Sequence, residues 1–286
     1  MLVERSCFLD LKKDFSALLC KSRNDKGFKN MNKYIAIILA AGKGTRMNEG
    51  LASSIPKVMF EIADKPIISW SVKLVKDAGI EKVILVIGYK KELIEQYFGD
   101  QVEYAIQAKQ LGTGHAVLMA KDLAAGKSNS VIVFYGDCPL YKPETVKKLI
   151  EYYENPPADG EKPTIAMLTA ISMDAGAYGR VIRDEKGDVA SIVEYKDCNE
   201  EQKKVGEWNP GFYIFDADWL WQNIVKLQNN NAQNEYYLTD LIMMAKEQNK
   251  RVIAMPVSEE SEAMGINTPE QQKEAEKILL ERKNYF

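Results

Sequence analysis

The sequence predicts an α/β fold built on an open sheet, with ligands at the carboxyl ends of its strands. Two observations carry that prediction. Short apolar runs at residues 35–39, 83–87, 102–106 and 131–134 read as strands, and helix-like stretches separate them. The three loops that stand out for glycine and charge, 39–57, 107–116 and 135–137, each follow such a run, where open α/β sheets bind ligands.

Taken in order, residues 1–33 come before the first strand. Phe8, Leu11, Phe15 and Leu18 recur at a helical interval, but the stretch is short and residues 22–32 are polar. It lacks the long apolar segment of a secretory signal. The expectation is a peripheral extension, with Met31 as a compact alternative beginning. After the first loop, Pro66 opens a helix whose apolar side is Ile67, Ile68, Val72 and Val75, and Gly79 stops it. The strand at 83–87 ends at Gly88. A short helix near 92–98 leads to the strand at 102–106. The turn at 107–116 feeds a helix through Leu123, and the strand at 131–134 runs into Tyr135-Gly136-Asp137. Pro143 opens a helix to about Glu154, followed by a polar linker at 155–163.

The second half changes character. A strand is expected at 164–169. Residues 178–182 and 189–194 flank a glycine-bearing turn and read as a hairpin. A strand at 212–215, a helix at 218–227 and a polar break at Asn229, Asn230 and Asn231 follow. The segment 235–240 opens a helix to about Gln248, then come a final strand at 251–257, a loop at 265–268 and a terminal helix from Pro269. No internal repeat appears, and in particular no hexapeptide period.

Composition narrows the function classes. The 286 residues are 46% hydrophobic, enough for one large core or one core with a smaller lobe. The formal net charge is −3, and the first 33 residues hold eight Lys or Arg against four Asp or Glu. The remaining body is therefore acidic, which argues against a broad nucleic-acid footprint. No apolar run reaches membrane-spanning length. Cys7, Cys20, Cys138 and Cys198 have no paired spacing, so neither a zinc cluster nor a disulfide scaffold follows, and a reducing cytoplasm is the expected setting.

The first loop reads as an anion site. Ala40, Ala41, Gly42 and Gly44 keep the turn small, and its N–H groups can cradle phosphate. Lys43, Arg46 and Lys57 add cations, of which Arg46 can grip phosphate oxygens with two donors. It is not a Walker loop, because Gly42-Lys43-Gly44-Thr45-Arg46 breaks that order, and Met47 breaks the dinucleotide fingerprint. Asp137 is a candidate ligand for a hard cation such as magnesium, which takes carboxylate and phosphate oxygens. Cys138 beside it reads as packing. His115 sits behind a glycine turn, where a structural hydrogen bond outweighs acid–base chemistry. Trp219 and Trp221 read as packing residues.

Taken together these motifs resemble the sugar-phosphate nucleotidyltransferases, specifically the uridyltransferase domain of the bifunctional bacterial enzymes that make UDP-N-acetylglucosamine. The resemblance covers about residues 34–286. LAAGxGTRM and a proline-lysine pair correspond to residues 39–47 and Pro56-Lys57. QxxQLGTGHA corresponds to 107–116, YGD to 135–137, YGR to 178–180 and EHKD to 194–197. NTG corresponds to Asn209-Pro210-Gly211, GEYYLTD to 234–240, and the asparagine of GVN to Asn267. The chain departs in three ways. Ten residues separate Arg46 from Lys57, a longer loop than the family's; Pro210 replaces a small hydroxyl residue; and no acetyltransferase β-helix is expected.

The resemblance implies a three-layer α/β/α Rossmann-like nucleotidyltransferase fold with a mixed sheet. It implies a nucleotide-binding part at 34–142, a sugar-binding part at 143–268 and a C-terminal helix at 269–286. It implies UTP and N-acetylglucosamine 1-phosphate as substrates, Mg2+ on Asp137 and Asn267, and Arg46 and Lys57 as the catalytic cations. Leu39, Ala41, Gly42, Gly44, Thr45, Gln107, Gly112 and Thr113 would hold the nucleotide. Gln107 would pair with both a donor and an acceptor on uracil, with Leu111 closing over the base. Gly136, Gly179, Glu194, Asn209, Tyr236 and Thr239 would hold the sugar. No acetyl-CoA, nucleic acid or membrane partner is implied, and a monomer or weak homodimer is expected. Glucose 1-phosphate or another nucleotide as substrate, and a non-catalytic sugar-nucleotide sensor, are the competing readings.

Overall fold

The structure, a computed structural model, describes residues 34–44, 47, 55–156 and 161–283. The peripheral extension, Thr45, Arg46 and the loop residues 48–54 lie outside the described residues. The chain runs β1 (Tyr34–Ala40), a 3-10 turn (Lys57–Met59), β2 (Glu61–Ile62), β3 (Lys65–Pro66), α1 (Ile67–Asp77), β4 (Val83–Ile87), α2 (Lys91–Phe98), β5 (Glu103–Ile106), α3 (Thr113–Met119), α4 (Lys121–Ala124), β6 (Ser130–Tyr135) and α5 (Pro143–Glu154). It continues with β7 (Ile165–Ile171), β8 (Gly179–Arg183), β9 (Val189–Val193), α6 (Glu200–Lys203), β10 (Glu207–Asn209), β11 (Phe212–Asp216), α7 (Ala217–Asn223), α8 (Asp240–Glu247), β12 (Val252–Pro256) and α9 (Pro269–Lys283).

Ten strands form one mixed sheet in the order β5-β4-β1-β6-β11-β7-β10-β8-β9, with β12 on β7. β5, β4, β1 and β6 are parallel, and β11 runs antiparallel to both β6 and β7. Parallel neighbours need crossovers, which α1, α2 and the α3–α4 pair supply. Helices cover both faces, so β4 is apolar without alternation and all five of its residues are buried. On one face Ile35 and Ile37 of β1 share a core with Val117 of α3, Leu220 of α7 and Leu241 of α8. On the other, α1 packs on β1 and α5. This is the three-layer, mixed-sheet arrangement that the resemblance implies.

The chain leaves β1 for β4 and β5 on one side and returns to β6 on the other. Such a reversal opens a crevice at the strands' carboxyl ends. The two expected parts share the sheet across it, since β6 and β11 pair from Phe134↔Phe212 to Ser130↔Asp216.

A second, smaller core sits beside the crevice. Met47, Ile62, Ile67, Leu140 and Ile266 pack there with Ala275 and Leu279 of α9. It draws together the first loop, the β2–β3 hairpin, the loop after β6 and the terminal helix.

Four local readings differ from expectation. The single helix expected through Leu123 is two helices, α3 and α4, parted at Ala120. The helix expected from residue 235 starts at Asp240, because residues 235–238 are engaged by the loop at 111–114. Tyr236 N donates to Leu111 O at 2.8 Å and Gly114 N to Tyr236 O at 2.8 Å. The short strand β10 and the β2–β3 hairpin were not expected. The hairpin turn uses Ala63 and Asp64 at φ 48° and 64°. Two positive φ values define the tight hairpin turns usually signalled by Asn-Gly, a signal absent here.

Candidate active site

At the end of β1, Leu39 pairs with Tyr135 of β6 and Ala40 with Ile87 of β4. Gln107 N, after β5, donates to Ile87 O at 2.8 Å. The loops after β1, β5 and β6 therefore meet, and they bound a cleft of ≈ 260 Å³. Of the expected residues, Leu39, Ala41, Gly42, Lys57, Gln107, Gly112, Thr113 and Asp137 line it.

The cleft holds a compact charge centre. Lys57 Nζ is ion-paired with Asp137 and donates to Asn267 Oδ1 at 2.9 Å. Both side chains of the ion pair are 17% exposed. Three local features bring them together. Gly44 has φ 64°, and a Cβ there would stand 2.4 Å from Lys57 Cβ, so only glycine lets the first loop close over Lys57. Asp137 follows β6 directly. Ile266 N donates to Asp137 O at 2.9 Å, which brings the loop bearing Asn267 to it.

Cys138 is buried and its Sγ contacts Asp137 Oδ1 at 3.6 Å. Burial pushes its thiol well up, so it stays a neutral packing group, as expected. Gly136, expected on the sugar side, is tied by its backbone to β1 and α1. Its N–H donates to Leu39 O at 2.9 Å and its carbonyl accepts from Ser71 Oγ at 3.2 Å. The first bond joins the ends of β1 and β6, and the second ties that junction to α1.

The loop at 107–114 forms another wall. Gln107 Nε2 donates to Gly112 O at 3.0 Å and meets His115 Nδ1 at 3.0 Å. Burial lowers the His115 pKa, so the ring is neutral, and an amide N–H opposite Nδ1 puts the ring proton on Nε2. The histidine is thus a structural acceptor, as expected. Both N–H bonds of Gln107 are then engaged, which leaves its carbonyl oxygen for a ligand. This corrects the expectation of an amide that both gives and accepts.

Gly112 has φ 107°, and a Cβ there would lie 2.6 Å from Tyr236 O and 2.7 Å from Tyr236 N. Gly112→Ala is expected to destabilise the fold by about 1–3 kcal/mol, read as a lower urea midpoint. Thr113 Oγ1 accepts from Leu238 N at 3.0 Å. The Tyr236 ring packs against the main core. Its backbone braces the loop at 111–114.

The remaining sugar-side candidates gather across β8, β9 and β10. Asn209 pairs with Gly179, and Arg180 with Val193, so Gly179 lies beside Glu194. A Cβ on Gly179 would meet Ile192 Cγ2 at 3.1 Å and Glu194 Oε2 at 3.4 Å. Thr239 Oγ1 donates to Glu194 Oε1 at 3.0 Å. Burial raises the Glu194 pKa above its usual value. Asn209 is buried, and its Oδ1 accepts from Gly211 N at 3.0 Å. Gly211, at φ 82°, seats this turn directly on the Tyr135 ring, where a Cβ would come within 1.9 Å of Cε2. Tyr135 lines the cleft, so the two sets of candidates are contiguous.

Residues 35–260 match the family described as nucleotidyl transferase. The chain belongs to that family. Among curated relatives, the Bifunctional protein GlmU of Clostridium novyi (strain NT) is 46% identical over 251 residues, 87% of this chain and 53% of that protein. The Bifunctional protein GlmU of Geotalea daltonii is 40% identical over 256 residues, 89% of this chain and 54% of that protein. The chain thus spans about half the length of the curated relatives it matches. A solved structure of apo UDP-glucose pyrophosphorylase aligns with TM-score 0.70 at 21% identity, over 87% of this chain and 99% of that one. HddC from Yersinia pseudotuberculosis, complexed with GMP-PN, aligns with TM-score 0.61 at 23% identity, over 86% and 99%. These two likenesses bear on the fold.

In this nucleotidyl transferase the cleft is also lined by Ala40 and Tyr135, and it has walls that sequence reading did not single out: Val58, Gln110, Ala116 and Glu235. Gln110 Nε2 reaches Ala41 O at 3.4 Å and so links two loops. Both Gln110 and Glu235 lie within recognised motifs, but motif spacing does not say which members face inward. Asn234 stands where the family motif has glycine. Its φ of 53° explains the exchange, since asparagine tolerates the left-handed region better than other side chains.

Proposed function

We propose that this chain transfers the uridylyl group of UTP to N-acetyl-α-D-glucosamine 1-phosphate, releasing pyrophosphate and forming UDP-N-acetylglucosamine. The observation that carries the reading is the convergence of Lys57, Asp137 and Asn267 in one cleft, flanked by Gln107 on one side and Asn209, Gly179 and Glu194 on the other. The likeness to the GlmU proteins supports it.

The sugar phosphate is ionised at neutral pH and needs no general base. One of its oxygens attacks the α-phosphorus of UTP. As that O–P bond forms, the bond from the α-phosphorus to the bridging oxygen breaks, and pyrophosphate leaves with the electron pair. The protein's task is to hold two anions together and neutralise the charge that builds up. Lys57 faces the phosphates from the floor of the cleft. The N–H groups around Gly42 and Gly44 cradle them, and Arg46 holds the leaving pyrophosphate. The Gln107 carbonyl accepts from uracil N3–H. Glu194 accepts from sugar hydroxyls, and Asn209, its oxygen held by Gly211, turns its NH2 to the acetamido carbonyl.

Asp137 and Asn267 fit a magnesium ion. Both present hard oxygens, and both reach the same ammonium group, so their donor atoms converge. No group of three or more His, Cys, Asp or Glu side chains among the described residues is arranged to hold a metal, which suits an ion that arrives with substrate phosphates. When bound, magnesium would neutralise phosphate charge and polarise the α-phosphoryl group.

The decisive assay is pyrophosphate release with UTP and Mg2+, comparing N-acetylglucosamine 1-phosphate, glucosamine 1-phosphate and glucose 1-phosphate. The reading expects fast release with the first alone. Preference for glucose 1-phosphate would overturn the sugar assignment, and silence with all three in a protein that still binds UTP would favour a sensor.

Glu194 gives a pH-dependent test. Its pKa is raised in the fold, so the native state holds its proton more tightly than the unfolded chain. Its burial cost is therefore present above the raised pKa and vanishes as pH falls below the ordinary carboxylate range. Glu194→Gln is expected to raise Tm at pH 8 but not at pH 4, while raising KM for the sugar phosphate about tenfold or more. An unchanged KM would remove Glu194 from the pocket.

A further inference from the structure

We infer that Gln271, in the first turn of α9, is a positioning residue for the charge centre: its side-chain oxygen sets the backbone that carries Asn267. The inference rests on the reading of Asp137 and Asn267 as metal donors. Asn267 belongs to no strand or helix, so something other than the sheet must fix it opposite Asp137. The loop at 264–268 shows what does.

Each of its five backbone N–H groups has a partner. Met264 donates to Ser261 O at 3.3 Å, Gly265 to the Tyr178 hydroxyl at 3.2 Å, and Ile266 to Asp137 O at 2.9 Å. The other two, Asn267 at 2.8 Å and Thr268 at 3.1 Å, donate to one atom, Oε1 of Gln271. Gln271 N donates back to Thr268 Oγ1 at 3.3 Å. Residues 268 and 271 thus form the reciprocal pair that caps many helices. Such a pair needs to hold only the capping residue. Here the same oxygen also takes the N–H of Asn267 itself.

The Asn267 amide is oriented in turn by Nδ2 donation to Gly265 O at 3.3 Å, which leaves Oδ1 on Lys57 Nζ at 2.9 Å. α9 is itself anchored. Glu276 Oε1 accepts from Ala63 N at 2.9 Å, and Gln272 Nε2 donates to Glu61 O at 2.8 Å. Ala275 and Leu279 pack with Ile266 and Met47. The frame that holds Asn267 is therefore the terminal helix. Without the Gln271 oxygen, two adjacent N–H groups lose their acceptor, and the peptides around Asn267 are freed to rotate Oδ1 away from Asp137.

The test titrates Mn2+ into protein saturated with UDP-N-acetylglucosamine and follows water-proton relaxation. Partners behind metal ligands typically change metal affinity ~10–100-fold, and Gln271→Ala is expected to weaken Mn2+ binding by about that factor. Gln271→Glu keeps an acceptor oxygen and restores most of the affinity. Asp216→Ala, which uncaps α7 at the end of β6 away from Asp137, lowers Tm without changing Mn2+ affinity. Should the alanine variant not fold, Gln271→Met takes its place, with similar length and no oxygen. Wild-type Mn2+ binding in Gln271→Ala, or a loss no greater than in Asp216→Ala, would overturn the inference. Asn267→Ala in the same titration separates the two levels. If it weakens Mn2+ binding and Gln271→Ala does not, positioning fails alone; if it too binds normally, the metal reading fails.

Discussion

Lys57→Met is expected to lower kcat by about 10²–10³-fold, the usual cost of removing one preorganised donor from a site that stabilises developing charge. Methionine keeps much of the stem and deletes the charge. The ammonium is held by Asp137 and Asn267 at the floor of the cleft, so it is already in place when the phosphates arrive. A fixed charge costs no reorganisation during reaction, and that is why its loss falls on kcat rather than on KM alone. Lys57→Arg is not expected to rescue it. The planar guanidinium is bulkier, and Gly44 already packs against the Lys57 backbone. The variant also leaves the mostly buried Asp137 carboxylate without its cation, at about 1–3 kcal/mol of stability. Kinetics should be compared at a temperature where urea titration shows both proteins folded. A variant within threefold of wild type in kcat would remove Lys57 from the chemistry.

Asp137→Asn carries the second large effect, and its sign is informative. The exchange keeps the side chain's shape and an oxygen for Lys57 while removing one negative charge. Were the cleft to work through Lys57 alone, removing an anion from a site that binds two phosphates would tighten binding and speed the reaction. Where the carboxylate holds magnesium, the same exchange is expected to cost about 10²–10³-fold in kcat. It should also raise the Mg2+ concentration for half-maximal rate at least about tenfold. A magnesium titration of the wild type and Asp137→Asn decides between the two directions. A rate equal to or above wild type at all Mg2+ concentrations would sink the metal assignment.

The helices and strands long enough to show a period were legible in sequence. β4 and α5 have the expected bounds because an unbroken apolar run and a leading proline are strong local signals. What escaped was set by contacts distant in sequence. β10 has three residues and β2 and β3 two each, too few for any period. The Ala63-Asp64 turn lacks the usual turn chemistry, and its Ala63 N–H is instead held by Glu276. The helix expected at residue 235 is delayed to Asp240 by backbone bonds to Leu111 and Gly114, which no local propensity encodes.

The candidate site divides in the same way. Lys57, Asp137 and Asn267 were nameable from motifs, and the fold brings all three into contact. Motifs could not say that both N–H bonds of Gln107 face inward, that Gly136 serves as a joint between strands, or that the Tyr236 ring turns to the core. Those outcomes depend on which neighbour each group meets. Gln271 is the clearest case: sequence places it only near the start of the terminal helix, and the fold puts its oxygen on Asn267 N.

The proposed reaction breaks UTP at its α-phosphorus and passes the uridylyl group to a sugar phosphate. The most direct test follows label from [α-32P]UTP and, separately, [γ-32P]UTP in the presence of Mg2+ and N-acetylglucosamine 1-phosphate. The expected result is α-label in UDP-N-acetylglucosamine and γ-label in pyrophosphate, in equal amounts. Label from the γ-position on the sugar product, or no sugar nucleotide from a folded protein that binds UTP, would contradict it.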